Sequence, residues 1–102
     1  MKRKFSIVYV VSTYRDNSAS TILYVYESFK DAYDFCLNLA QESVESYNSG
    51  GDGRCAWYKH NQWFEDHTWK VYYSTFSNNV AEPIKTIKLE ERYLRHSLKE
   101  ES

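Results

Sequence analysis

The segment from residue 28 to residue 48 constrains the fold most, because it is the clearest helix in the chain and strand-like segments flank it. Residues 28–31 fit the S-x-x-[DE] capping pattern, in which the Ser28 hydroxyl accepts a hydrogen bond from the Asp31 backbone N–H. Apolar side chains then recur at helical spacing, with polar ones between them. The apolar set is Phe29, Ala32, Tyr33, Cys36, Leu37, Ala40, Val44 and Tyr47. The pattern predicts an amphipathic helix over 28–48 that packs on a sheet.

Two strand-like segments precede this helix. Residues 4–14 contain a continuous apolar, largely β-branched run at positions 7–11, which predicts an interior strand buried on both faces. A polar break at 15–20 separates it from a second strand at 21–26, so the two segments predict a hairpin.

Strand patterns return after a glycine-containing loop at residues 48–53. Short apolar segments at 55–58 and 63–64 precede a predicted turn at 65–67, and residues 68–76 alternate as a strand does. Residues 84–89 predict a last, shorter strand, whose lysines suit an exposed sheet edge. Residues 90–102 have helical composition and few apolar side chains, which predicts a helix that docks lightly or requires a partner.

The fold class follows from the order of these segments. A chain of 102 residues is long enough for one domain, so we expect a single α+β domain over residues 1–102. The predicted order is β-β-α-β-β-β-α, with an antiparallel sheet of four or five strands and one long helix on one face. This order resembles small sheet-plus-helix domains of phages and large DNA viruses, which suggests a virus-encoded protein, but no motif supports a transfer of function.

Location and charge limit the partners. No apolar run approaches the roughly 18 residues of a membrane span, and the basic N-terminus continues into a strand pattern, so we expect a cytoplasmic protein without membrane contact. The formal net charge is −1. Residues 27–52 carry six acids and one base. Because phosphate contacts dominate general nucleic-acid affinity, this balance disfavours such binding.

Two groups of residues are candidates for chemistry. The weak metal or acid–base candidates are His60, Glu65, Asp66 and His67. The spacing from His60 to His67 matches no standard zinc arrangement, and the acids lie where a turn needs polar residues, so a solvated turn is favoured and no cofactor is expected. Cys36 and Cys55 are too few for a disulfide framework and are predicted to be reduced. Pairing of Cys55 with a histidine as a nucleophile has no visible activating feature.

The aromatic content provides the main functional hypothesis. Tyr, Phe and Trp make up 18% of the chain. The candidate interaction surface is Trp57, Tyr58, Trp63, Phe64, Trp69, Tyr72 and Tyr73. Since Tyr and Trp are enriched at interface hot spots, these residues favour a non-catalytic protein–protein interaction module whose partner is another protein or a second copy.

The sequence also allows three other functions. Single-stranded nucleic acid could stack on the same aromatic side chains, with Arg54, Lys59 and Lys70 contacting phosphates. The histidine and acid cluster allows a metal-dependent hydrolase. Stacking of carbohydrate on the tryptophans is the third.

Overall fold

A computed structural model describes residues 5–15, 21–50, 55–75 and 80–95. Its elements are strands and a single helix in the order β1 (Phe5–Tyr14), β2 (Thr21–Tyr26), α1 (Phe29–Asn48), β3 (Cys55–Trp63), β4 (Asp66–Ser74) and β5 (Glu82–Arg95). The five strands form one antiparallel sheet, and α1 packs against it. The predicted α+β class is therefore confirmed.

The strand order explains how the chain closes into one sheet. It is β2-β1-β5-β4-β3, so the hairpins β1–β2 and β3–β4 lie on either side of β5. Helix α1 connects the two hairpins, and β5 joins them by pairing with both β1 and β4. β2 and β3 form the two edges.

Helix α1 begins where the capping pattern predicts. Ser28 has an extended backbone, and its hydroxyl accepts a hydrogen bond from the Asp31 N–H at 3.3 Å. The small side chains of Ala32, Cys36 and Ala40 recur every fourth residue and are fully buried. Because these side chains are small, the helix can approach the sheet closely, and the larger side chains of the core come from the strands. The strand residues of that core are Val11, Trp69, Val71, Ile87 and Leu89.

The last strand differs from its prediction in length and position. β5 runs from Glu82 to Arg95 and lies in the middle of the sheet, so the predicted edge position is wrong. Residues 86–95 pair with β1 over ten positions. The predicted C-terminal helix is therefore wrong for residues 90–95, because these pairings prevail over a weak helical propensity. Residues 96–102 of that predicted helix lie outside the described residues, as do positions 51–53 of the predicted glycine loop.

Within the described part of the chain, a helix covers only one face of the sheet. The face that α1 does not contact, which we call the open face, carries Val8, Val10 and Ser12 of β1. On the helix side, Ile7 near the start of β1 is 41% exposed. The run at residues 7–11 is therefore not buried on both faces as predicted. Among the described residues, no helix combines the length and apolar character needed to cross a membrane.

The two edges of the sheet differ in how they are protected. The Ala56 N–H on β3 donates to the Asn48 side-chain oxygen at 2.8 Å, so the end of α1 covers the start of this edge. β2 carries no charged residue, and four consecutive apolar side chains are exposed there. These are Ile22, Leu23, Tyr24 and Val25. An uncharged, apolar edge of this kind is a template for pairing with another strand.

Candidate functional site

The residues predicted to form one aromatic surface are divided among three places. β3 and β4 pair in a register that puts Tyr58 opposite Val71 and Trp57 opposite Tyr72. Because successive side chains alternate between faces, Tyr58, Trp69 and Tyr73 lie on the helix side. Trp57 and Tyr72 lie on the open face, and Trp63 and Phe64 lie at the end of the hairpin.

Trp69 does not belong to an exposed surface. It is 1% exposed, and its ring contacts Tyr33 and His60 at centroid distances of 5.2 and 4.8 Å. Its inclusion in the predicted interaction surface is wrong, because the alternation of β4 points it at α1. Tyr58 packs partly buried against the same core, and the Tyr73 hydroxyl donates to Glu82 at 3.0 Å.

Trp63 and Phe64 form what we call the hairpin tip. Trp63 pairs with Asp66, so the turn consists of Phe64 and Glu65 and begins one residue before the predicted turn. The two aromatic rings meet edge to face at 5.0 Å, and the side chains are 75% and 77% exposed. Phe64 has a φ of 54°, a left-handed conformation that favours glycine. The Gln62 side-chain amide donates to the Phe64 carbonyl at 3.0 Å and supports this turn.

The open face combines two aromatic rings with basic side chains. Trp57 and Tyr72 stack at 6.0 Å with an angle of 21° between their planes, and the Lys59 ammonium lies 5.8 Å from the Tyr72 ring centre. Lys88 and Arg92 of β5 share this face but lie within ion-pair distance of Glu90. The exposed face of α1, by contrast, is mainly acidic.

The two histidines of the hairpin do lie together. His60 Nε2 and His67 Nδ1 are 2.9 Å apart, and the rings stack at 5.1 Å with an angle of 9°. One nitrogen donates and the other accepts, so both cannot be protonated while this hydrogen bond exists. Burial lowers the pKa of His67, and the charge of protonated His60 lowers it further.

Of the two acids among the weak metal candidates, Asp66 points away from the histidines. An Asp66 oxygen accepts from the Glu91 N–H at 3.2 Å and lies 3.9 Å from Arg92. Across the described ranges, no three His, Cys, Asp or Glu side chains are grouped to hold a metal ion. Cys55 lies five residues from His60 along β3 and on the opposite face, so the Cys–His pair that the sequence disfavoured is not assembled with His60.

The lowered pKa of His67 predicts a loss of stability in mild acid. Below its ordinary pKa of 6.5, the unfolded chain takes up a proton that the folded chain does not bind until its own lower pKa is reached. The contribution of His67 to the free energy of unfolding is therefore fully present above about pH 6.5. It is lost as the pH decreases from there towards the lowered pKa. One such group contributes at most about 1.4 kcal/mol per pH unit.

Urea unfolding at about pH 7.5 and about pH 5.5 measures this effect. We expect a smaller difference between the two pH values for His67→Gln than for the wild type. His60→Gln is the matched control, because it removes the neighbouring charge while burial of His67 remains. An equal loss of stability in wild type and His67→Gln would assign the pH dependence to other groups.

The sequence did not indicate a cleft that lies between the start of α1 and the end of the β3–β4 hairpin. Its volume is about 390 Å³. Tyr9, Phe29 and Tyr33 line it together with His67 and two carboxylates, Glu65 and Glu91. Tyr9 and Phe29 have ordinary core spacing in the sequence, and only the pairing of β1 with β5 brings Glu91 beside Tyr9.

Comparison with known proteins identifies no relative from which a function could be transferred. No protein family model, curated protein or solved structure matches this chain.

Proposed function

We propose that the chain is a non-catalytic protein-interaction module that contacts another protein through the hairpin tip. Phe64 is the observation that carries this proposal. A left-handed backbone costs a bulky residue about 1–2 kcal/mol, and two-residue hairpin turns normally avoid this cost with Gly or Asn. Phe64 adopts this conformation while its side chain is 77% exposed, and among the rings of the described residues it contacts only the exposed ring of Trp63. Backbone strain at an exposed side chain favours a role in binding.

Trp63 strengthens the proposal by its chemistry. Aromatic side chains bury a large area for few rotatable bonds and are prominent among interface hot spots. The edge-to-face contact of Trp63 with Phe64 gives the hairpin tip one joint apolar shape. Such a shape fits an apolar pocket or groove on a partner protein.

Affinity capture from an extract of the source organism, with partners identified by mass spectrometry, tests the hairpin tip. The double variant Trp63→Ala/Phe64→Ala should keep its circular dichroism spectrum and retain at least tenfold less of the specific partner, as expected for loss of about 1.4 kcal/mol or more. The matched control is Ile22→Ala/Val25→Ala, which removes exposed apolar side chains from β2 at the other edge. Capture of the same partner in equal amount by both variants would contradict the proposal.

A second copy of the chain is another candidate partner, and the uncharged edge of β2 favours this form of association. Light scattering coupled to size-exclusion chromatography of the same two variants separates the two surfaces. Association that is lost in Ile22→Ala/Val25→Ala and kept in Trp63→Ala/Phe64→Ala would assign the interaction to β2 and not to the hairpin tip.

Single-stranded nucleic acid is a second candidate ligand because of the stacked rings of the open face. Trp57, Tyr72 and Lys59 combine a stacking surface with a cation, as in single-strand binding proteins. Binding of a labelled mixed-sequence RNA that weakens steeply with salt, and that is lost in Lys59→Ala but not in the helix control Lys30→Ala, would favour this function over the protein partner.

A further inference from the structure

The cleft beside the start of α1 has walls made of aromatic rings that meet at steep angles. Tyr9 and Phe29 lie 5.5 Å apart at 72°, and Tyr33 and His67 lie 5.4 Å apart at 90°. Phe29 also lies 5.7 Å from Tyr33, and it remains 40% exposed. Aromatic rings at several angles therefore surround the cleft, and a ligand bound there would contact them.

Two carboxylates give the cleft its charge. Glu65 enters from the β3–β4 turn and Glu91 from β5, where it pairs with Tyr9 of β1. No Lys or Arg is among the described residues that line the cleft. His67 is uncharged at neutral pH, since burial first and His60 second lower its pKa. The cleft is therefore negative as well as aromatic.

The dimensions suit a small ligand. Ligand pockets in proteins commonly span about 300–1,000 Å³, and this cleft of about 390 Å³ falls at the lower end of that range. Binding of an anion is disfavoured by both glutamates. A neutral apolar ligand would make no ion pair with the two glutamates. A cation interacts favourably with the carboxylates and with the face of any aromatic ring that it contacts.

We propose that this cleft binds an organic ammonium cation with alkyl groups on its nitrogen. The alkyl groups contact Tyr9, Phe29 and Tyr33, and Glu65 and Glu91 neutralise the charge. The cation is either a free small molecule or an alkylated lysine side chain of a protein. The cleft adjoins the hairpin tip, because Glu65 shares the turn with Phe64, but neither Trp63 nor Phe64 lines it.

Proton NMR titration of the full chain tests the proposal with three probes. Choline represents a free ammonium ion, a short peptide with trimethyl-lysine represents a protein side chain, and 3,3-dimethylbutan-1-ol is the uncharged isostere of choline. We expect the N-methyl signal of the bound cation to shift upfield from the ring currents, with at least tenfold weaker binding of the isostere. Tighter binding of choline or of the peptide identifies the source of the cation.

Variants then assign the binding to this cleft. Glu65→Gln and Glu91→Gln should each weaken choline binding by about fivefold, and Phe29→Leu should weaken it while keeping an apolar side chain. Glu45→Gln, an exposed change on α1 outside the cleft, is the matched control and should bind choline as the wild type does.

Three results would overturn the proposal. The first is no binding of either cation at about 100 mM, far above the concentrations at which such sites operate. The second is equal affinity for choline and its uncharged isostere. The third is an equal loss of affinity in Glu45→Gln and Glu91→Gln, which would reflect net charge instead of a site.

Discussion

Replacement of Trp69 by alanine is expected to lower the free energy of unfolding by about 3–5 kcal/mol. Trp69 is the largest of the fully buried side chains. It fills the space between β4 and the small side chains of α1, so its removal leaves a cavity that the neighbouring elements cannot close. Urea unfolding followed by far-ultraviolet circular dichroism measures the change, because this signal does not depend on the removed indole.

Trp63→Ala is the matched control for Trp69→Ala. It removes the same side chain from the same hairpin, but from a position that is 75% exposed. Its free energy of unfolding should remain within about 0.5 kcal/mol of the wild type. If the two variants were destabilised equally, the assignment of Trp69 to the core and of Trp63 to the surface would be wrong. A double variant of Trp63 and Trp69 would confound binding with folding and is unsuitable for testing partner capture.

The two cysteines are expected to react with thiol reagents at very different rates in the folded protein. Cys36 is fully buried against the sheet, and burial raises its pKa to about 12. At about pH 8, only about one Cys36 side chain in ten thousand would therefore be the reactive thiolate, and the reagent cannot reach it without an opening of the fold. Cys55 is exposed.

A disulfide reagent such as Ellman's reagent measures this difference. We expect one thiol per chain to react promptly in buffer and two in concentrated urea, with Cys36 slower than Cys55 by at least about a thousandfold in the native state. Cys55→Ser should remove the prompt phase and leave the slow one. Prompt reaction of Cys55→Ser in buffer would show that α1 does not cover Cys36.

Local patterns predicted much of the secondary structure. The capping pattern at Ser28 and the helical spacing after it placed α1 correctly, and the apolar segment at 21–26 matches β2. Both depend on residues that are close in sequence, where backbone periodicity decides which side chains share a face. The end of the chain was predicted less well, because residues 90–95 have helical composition and pair with a strand more than 75 positions earlier.

The sequence predicted the candidate site only in part, because long-range packing decides which of the aromatic side chains are exposed. Trp63 and Phe64 belonged to the predicted aromatic surface and are exposed, whereas Trp69 belonged to it and is buried. The sequence distinguishes the two faces of a strand but not which face a helix covers. The cleft was missed altogether, since Tyr9, Phe29, Glu65 and Glu91 come from four different parts of the chain.

The sequence alone determined the class of fold, the position of the main helix and the alternation of each strand, because these follow from local spacing and capping. Only the tertiary structure decided that β5 lies at the centre, that Trp69 is core while Trp63 is surface, and that three aromatic rings and two carboxylates share one cleft. These features depend on strand order, which is set by the burial and backbone pairing of residues far apart in the chain.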